Sequence, residues 1–136
     1  MRSMRRALAG VAALVAACAA LTACTGPAEK TIEYTQSAVT VHVGETLVVH
    51  MGEINSSVGT DWVITTKPDS AVLGEGESEY VSDDPDPAPG SSSDLSYRFE
   101  ATGAGTTVVA FEYQFRGAVP DDPDEQKSAE ITVTVK

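Results

Sequence analysis

Cysteine is nearly absent from this chain. Its 136 residues include two, Cys18 and Cys24, and both fall in the first 24 positions. Everything beyond them has no thiol pair for a disulfide and no thiolate for a metal site, so stability must come from packing. Basic residues are scarce as well. Nine Lys and Arg stand against 20 Asp and Glu, a formal net charge of −11. Three of the nine lie in residues 1–6; without them six face 20, a formal charge of −14. Such a chain has no electrostatic route to nucleic acid or to anionic lipid headgroups. Histidine is limited to His42 and His50, each on the outward phase of an alternating run. Adjacent strand residues face opposite sides, so His50 and Met51 cannot share a metal. No nucleophile, base and orienting group stand at a suggestive spacing, and no phosphate-cradling glycine loop follows a strand. The chain is not expected to be an enzyme, and no cofactor is implied. No stretch holds a helical period over three turns.

The first residues read as an export signal. Three arginines are followed by an Ala/Val/Leu run over 7–21 and then by Leu21-Thr22-Ala23-Cys24. A basic start, a short apolar core and a small-residue cleavage site are the parts of a secretory signal peptide. The apolar run is too short for a confident membrane span. Leu-Thr-Ala-Cys looks like a bacterial lipobox, which makes Cys24 the lipidated mature N-terminus. Val15-Ala16-Ala17-Cys18 fits a looser version, but it lies inside the apolar core. An ordinary cleaved signal with a leftover thiol is the alternative. The expected organisation is a signal over 1–23, a lipidated terminus and tether over 24–31, and one domain over 32–136, anchored to the outer face of the cell membrane.

Beyond the tether, β-branched and aromatic residues recur with period two, the pattern of half-buried strands. Val39, Val41 and Val43 share one face; Leu47, Val49 and Met51 share another. Trp62 and Ile64 follow, then Leu95, Tyr97 and Phe99, then Val109, Phe111, Tyr113 and Phe115, and last Ile131, Val133 and Val135. Short, glycine-interrupted pieces at 71–73 and 78–82 are the weakest strand signals, and 32–34 reads as a short edge strand. About seven strands with frequent turns predict an all-β, immunoglobulin-like antiparallel sandwich, expected to be monomeric.

The connections alternate in length. Those at Gly44, 67–69 and 103–105 are short, while 52–61, 83–93 and 116–127 are long. Successive loops of such a sandwich tend to alternate between its ends, so the three long ones are expected at one end, as a binding edge. The first carries Asn55-Ser56-Ser57-Val58-Gly59-Thr60-Asp61-Trp62, with the only Trp of the chain. This resembles the first inhibitory loop of the chagasin-type cysteine-protease inhibitors, Asn-Pro-Thr-Thr-Gly, then two further residues and Trp. Asn, Gly and Trp match in place; Pro and the second Thr do not. The turn Val43-Gly44-Glu45-Thr46-Leu47 and the segment Ala104-Gly105-Thr106 leading to Tyr113 extend the resemblance. The family's second loop, Gly-x-Gly-Gly, falls on Gly90-Ser91-Ser92-Ser93 and keeps only its first glycine. Its third, Arg-Pro-Trp, falls on Phe115-Arg116-Gly117 and keeps neither Pro nor Trp.

The resemblance implies an immunoglobulin-like fold and reversible inhibition of papain-like cysteine proteases. In that reading Asn55 to Thr60 enter the cleft, Trp62 braces the loop base, and Gly90 to Ser93 and Phe115 to Gly117 flank it. A lost proline loosens a loop that binds better when stiff, and a lost Trp removes a strong anchor. The alternative is a non-inhibitory protein-binding or structural module of the envelope. It could carry calcium on Asp83, Asp84 and Asp86 of one loop and Asp121, Asp122 and Asp124 of another, because clustered carboxylates suit that ion.

Overall fold

The structure, a computed structural model, describes Gly26 and residues 28–136. Cys18, Cys24 and the signal sequence lie outside the described residues. Eight strands form two four-stranded sheets: β1 (Glu29–Glu33), β2 (Ala38–Val41), β3 (Thr46–Ile54), β4 (Thr60–Thr66), β5 (Glu77–Val81), β6 (Ser93–Glu100), β7 (Gly105–Phe115) and β8 (Ser128–Val135). One sheet runs β1-β3-β6-β5 and the other β2-β8-β7-β4. The all-β sandwich is as expected, and the chain pattern shows why. Ile32, Val39, Val41, Leu47, Val49, Leu95, Phe99, Val109, Phe111, Ile131 and Val133 are buried, on alternate positions of their strands. Period-two alternation therefore fixes which face of each strand enters the core.

Pairing is not antiparallel throughout. β1 runs parallel to β3, with Glu29 opposite Thr46, and β2 runs parallel to β8, with Val41 opposite Val135. The chain crosses from one sheet to the other between these two short strands, so each joins an edge in the parallel sense. Strand periodicity carries no record of direction.

Three local differences also have physical causes. β3 continues past Met51 to Ile54, because the register shifts between His50 and Gly52. This bulge changes the phase, so Met51 and Ile54 are both buried. Val43, expected inside with Val39 and Val41, is 52% exposed because β2 ends at Val41. Residues 71–73 form no strand of the sheets: Val72 and Leu73 amide groups both donate to the Asp69 carbonyl, and both side chains are buried in a turn. The connection from β4 to β5 thus runs over 67–76, longer than the short turn expected at 67–69.

Strand directions divide the molecule into two poles. At one, Ile54 pairs with Ser93, Val81 with Asp94, and Thr60 with Phe115. The β3–β4, β5–β6 and β7–β8 loops all leave from this pole. At the other, Glu29 pairs with Thr46, Gly105 with Val135, and the Lys136 amide bonds to the Val41 carbonyl. The three connections expected to be long do share one end, but their lengths do not alternate as expected. The first is only the five residues 55–59, because β3 and β4 extend into it, and the 67–76 connection at the opposite pole is twice as long.

Candidate functional site

The β3–β4 loop is held by its own asparagine. The Asn55 amide donates to Thr60 Oγ1 at 2.7 Å, and that hydroxyl returns a bond to the Asn55 carbonyl at 3.1 Å. The same carbonyl accepts from the amides of Val58 and Thr60. Inside the loop, Asn55 Oδ1 accepts from the Ser57 amide at 3.1 Å. Such a side-chain-closed turn is what asparagine does well and most other residues do not. Five hydrogen bonds thus converge on one residue and fix a five-residue loop without a proline.

The loop is tied to both neighbours. Asn55 Nδ2 donates to the Gly90 carbonyl at 2.9 Å, which joins the β3–β4 loop to the β5–β6 loop. On the other flank the Arg116 amide donates to the Gly59 carbonyl at 2.7 Å, which joins it to the β7–β8 loop. Gly59 has φ of +96°, and a Cβ there would lie 2.8 Å from Arg116 Cγ. Glycine is needed twice over, for its backbone angle and for the approach of its neighbour. Arg116 itself is the single described non-glycine residue with positive φ, at +52°. Its guanidinium sits 5.0 Å from the centre of the Phe115 ring.

Beneath the loop lies Trp62, 3% exposed. Its ring meets Tyr34 at 4.9 Å and Tyr113 edge-on at 5.6 Å between centroids. Its carbonyl accepts from Tyr97 Oη at 2.8 Å. Burial, with the Asp61 charge as the lesser cause, pushes the Tyr97 hydroxyl up to about 12. Burial followed by Asp61 also raises Tyr80, whose hydroxyl is 3.5 Å from Asp61 Oδ1. Trp62 is out of reach of a partner molecule; it supports the loop from below.

Ser56, Ser57 and Val58 form the exposed crest, while Gly90 and Ser91 stand exposed on one flank and Arg116 and Gly117 on the other. Ser92 is half-buried, and Ser93 begins β6. Phe115 was expected to face the core by parity. It is instead 41% exposed, because the alternation of β7 outruns the sheet that would cover it. Sequence reasoning missed Tyr80, Val81 and Val119. Of the six large hydrophobic residues exposed on the described chain, five (Val58, Tyr80, Val81, Phe115 and Val119) belong to these loops or to the strand ends that feed them. Exposed apolar groups gathered at one place mark an interaction surface. The signal available was an apolar residue stranded in polar context, as Val119 is before Pro120.

Among the described residues no three His, Asp or Glu side chains gather as a ligand set. Asp84 accepts from the Asp86 amide and Asp122 from the Asp124 amide, so these carboxylates close turns. His42 lies 3.5 Å from Glu45, and His50 lies between Glu33 at 3.1 Å and Asp94 at 3.8 Å; the two histidines make separate surface contacts.

Comparison with known proteins bears on the family and the fold. Residues 40–135 match the Chagasin family peptidase inhibitor I42. The fold is similar to the solution structure of Amebosin, with 20% identity and a TM-score of 0.62, over 82% of this chain and 100% of that one. It is also similar to the crystal structure of the cysteine protease inhibitor EhICP2 from Entamoeba histolytica, with 14% identity and a TM-score of 0.55, over 80% of this chain and 96% of that one. At these identities the two structures speak to the fold alone. No curated protein matches the chain by sequence. Because the family match runs from β2 through β8, the chain belongs to the Chagasin family of peptidase inhibitors, a family of inhibitors and not of enzymes.

Proposed function

We propose that this chain is a lipoprotein of the bacterial cell envelope that reversibly inhibits papain-like cysteine proteases with its three-loop edge. The observation that carries this reading is the convergence of three loops and five exposed apolar residues at one pole of a Chagasin-family domain. Asn55 to Thr60 enter the cleft of the target, with Ser56, Ser57 and Val58 foremost. Gly90 to Ser93 flank on one side and Phe115 to Gly117 on the other. EhICP2, whose fold is similar, is described as a cysteine protease inhibitor. Inhibition is by occlusion and requires no covalent step.

Two features compensate for the missing loop motifs. Asn55 replaces the stiffness of a proline with a closed set of hydrogen bonds. Phe115, turned outward with Arg116 over its ring, supplies an aromatic two residues before the position where the family motif places Trp. A preorganised loop loses less entropy on docking, so more of its contact energy appears as affinity. The lipobox Leu21-Thr22-Ala23-Cys24 supports export and anchoring through Cys24.

The direct test uses residues 25–136 as a soluble domain against papain and a cathepsin-L-like enzyme. Competitive inhibition in the nanomolar range, lost in Gly59→Glu with circular dichroism unchanged, is the expected result. A folded domain that leaves both enzymes active at tens of micromolar would reject inhibition of these enzymes and favour a binding module without inhibitory action. Mass spectrometry of the membrane fraction tests the acyl groups on Cys24.

A further inference from the structure

We propose that the chain stands on the membrane by the pole that carries its termini and holds the loop edge toward the medium, so that its target is a soluble protease arriving from outside. This rests on the anchor and inhibitor readings above; what the fold adds is direction. β1 begins at the pole opposite the loops, with Glu29 beside Thr46, and it runs parallel to β3 toward them. Further, the Thr46 amide donates to the Ala28 carbonyl, so the chain is fixed to that pole from Ala28 onward. The anchor therefore attaches at the far end from the edge that binds.

Lengths decide whether the domain can turn over. Four residues, 25–28, separate Cys24 from β1. Five Cα steps reach at most about 18 Å when fully extended. Strand β3 alone advances about 26 Å from Thr46 to Ile54, at roughly 3.3 Å per residue. To bring the loops down to the lipid, the tether would have to climb the height of the sandwich, and it is too short. The loop-down orientation is excluded, and the domain can at lowest lie on its side.

Charge favours the upright position over lying down. The β5–β6 and β7–β8 loops hold seven Asp and Glu against two cations, Arg116 and Lys127. The turns at the opposite pole, with the last residue, hold Glu45, Asp69 and Glu75 against Lys67 and Lys136. An anionic membrane surface repels the first pole far more than the second, within a Debye length of about 8 Å at physiological salt. The cleft of a protease in solution meets the loops unobstructed, whereas an active site held close to the same lipid surface does not.

The test uses the full lipid-modified chain in vesicles containing anionic lipid and an energy acceptor at headgroup level. Single cysteines at exposed positions, Ala88→Cys at the loop pole and Ser70→Cys at the termini pole, carry the donor, since the Cys24 sulfur is occupied by lipid. The expected result is donor quenching at least ~3-fold weaker at position 88 than at 70, increasing in contrast as salt is lowered. Soluble papain should be inhibited by the vesicle-bound chain within ~3-fold of the soluble domain. Equal or reversed quenching overturns the orientation, as does a vesicle-bound chain more than ~10-fold weaker than the soluble one. A chain that does not enter vesicles overturns the anchor and this proposal with it. A soluble domain that fails to inhibit overturns the inhibitor reading and the nature of the target, while the quenching ratio still decides the direction.

Discussion

The two poles of this sandwich are built by the same eight strands and solve opposite problems. At the termini pole the connections are pressed against the core. Val72 and Leu73 are buried in the β4–β5 connection, and Gly103 passes so close to it that a Cβ would lie 2.3 Å from the Ala71 carbonyl oxygen. At the loop pole the connections stand away from the core. Their hydrogen bonds run within and between loops, and their apolar residues face solvent. Burial holds the first pole together; polar closure holds the second. A surface that must meet a partner cannot spend its apolar groups on its own core, so its stiffness has to come from hydrogen bonds and backbone geometry.

Substitutions should separate the two. The largest loss of stability is expected from Trp62→Ala, which empties the site shared with Tyr34 and Tyr113 and should cost about 3–5 kcal/mol in chemical denaturation. It also removes the support of the β3–β4 loop, so inhibition should fall with it. Gly103→Ala should cost about 3 kcal/mol by overpacking against the Ala71 backbone. Its folded fraction should inhibit as well as the parent; a parallel loss of inhibition would mean that the poles are coupled. Gly59→Ala should cost about 1–3 kcal/mol, since it forces a side chain into positive φ beside Arg116. In contrast to Gly103→Ala, it should weaken inhibition at least ~10-fold.

Smaller effects sharpen the same contrast. Asn55→Ala removes the bond to Gly90 and the turn at Ser57, for a stability change of about 1 kcal/mol and an inhibition constant several-fold higher. Finally, the Tyr97 hydroxyl is raised to about 12 by burial. A raised folded-state value means that stability is fully present below the unfolded value of about 10 and is lost as pH climbs from there through 12. Melting temperature should therefore drop over that window, and Tyr97→Phe should flatten the drop. Steep alkaline loss in the Phe variant would place the sensitive group elsewhere.

Much of this was legible in the residues. The inward faces of β3, β6, β7 and β8 follow directly from alternation, because a strand has only two faces and one must be apolar. That the β3–β4, β5–β6 and β7–β8 loops share an end followed from their order along the chain, but not their lengths, since the β3–β4 loop is five residues and the β4–β5 connection ten. Asn55, Gly59 and Trp62 stood out by type and spacing. What alternation could not carry was the end of a strand. Val43 and Phe115 continue their patterns past the last covering neighbour, and so are exposed. Nor could it carry a bulge, which reverses phase between His50 and Gly52 and places Ile54 inside. Leu73 is fully buried without belonging to a sheet strand.

By itself the sequence determined the all-β class, the core faces of the central strands, the acidic balance and the Asn, Gly and Trp positions of the β3–β4 loop. Each of these depends on residue type and local period, which are properties of neighbours along the chain. Only the tertiary structure decided that β1 and β2 join in parallel, that Asn55 reaches Gly90, and that Arg116 closes on Gly59. It also decided that Val58, Phe115 and Val119 share an end with Tyr80 and Val81. Those are contacts between residues tens of positions apart, and their geometry exists only once two sheets have packed and set the distances between their ends.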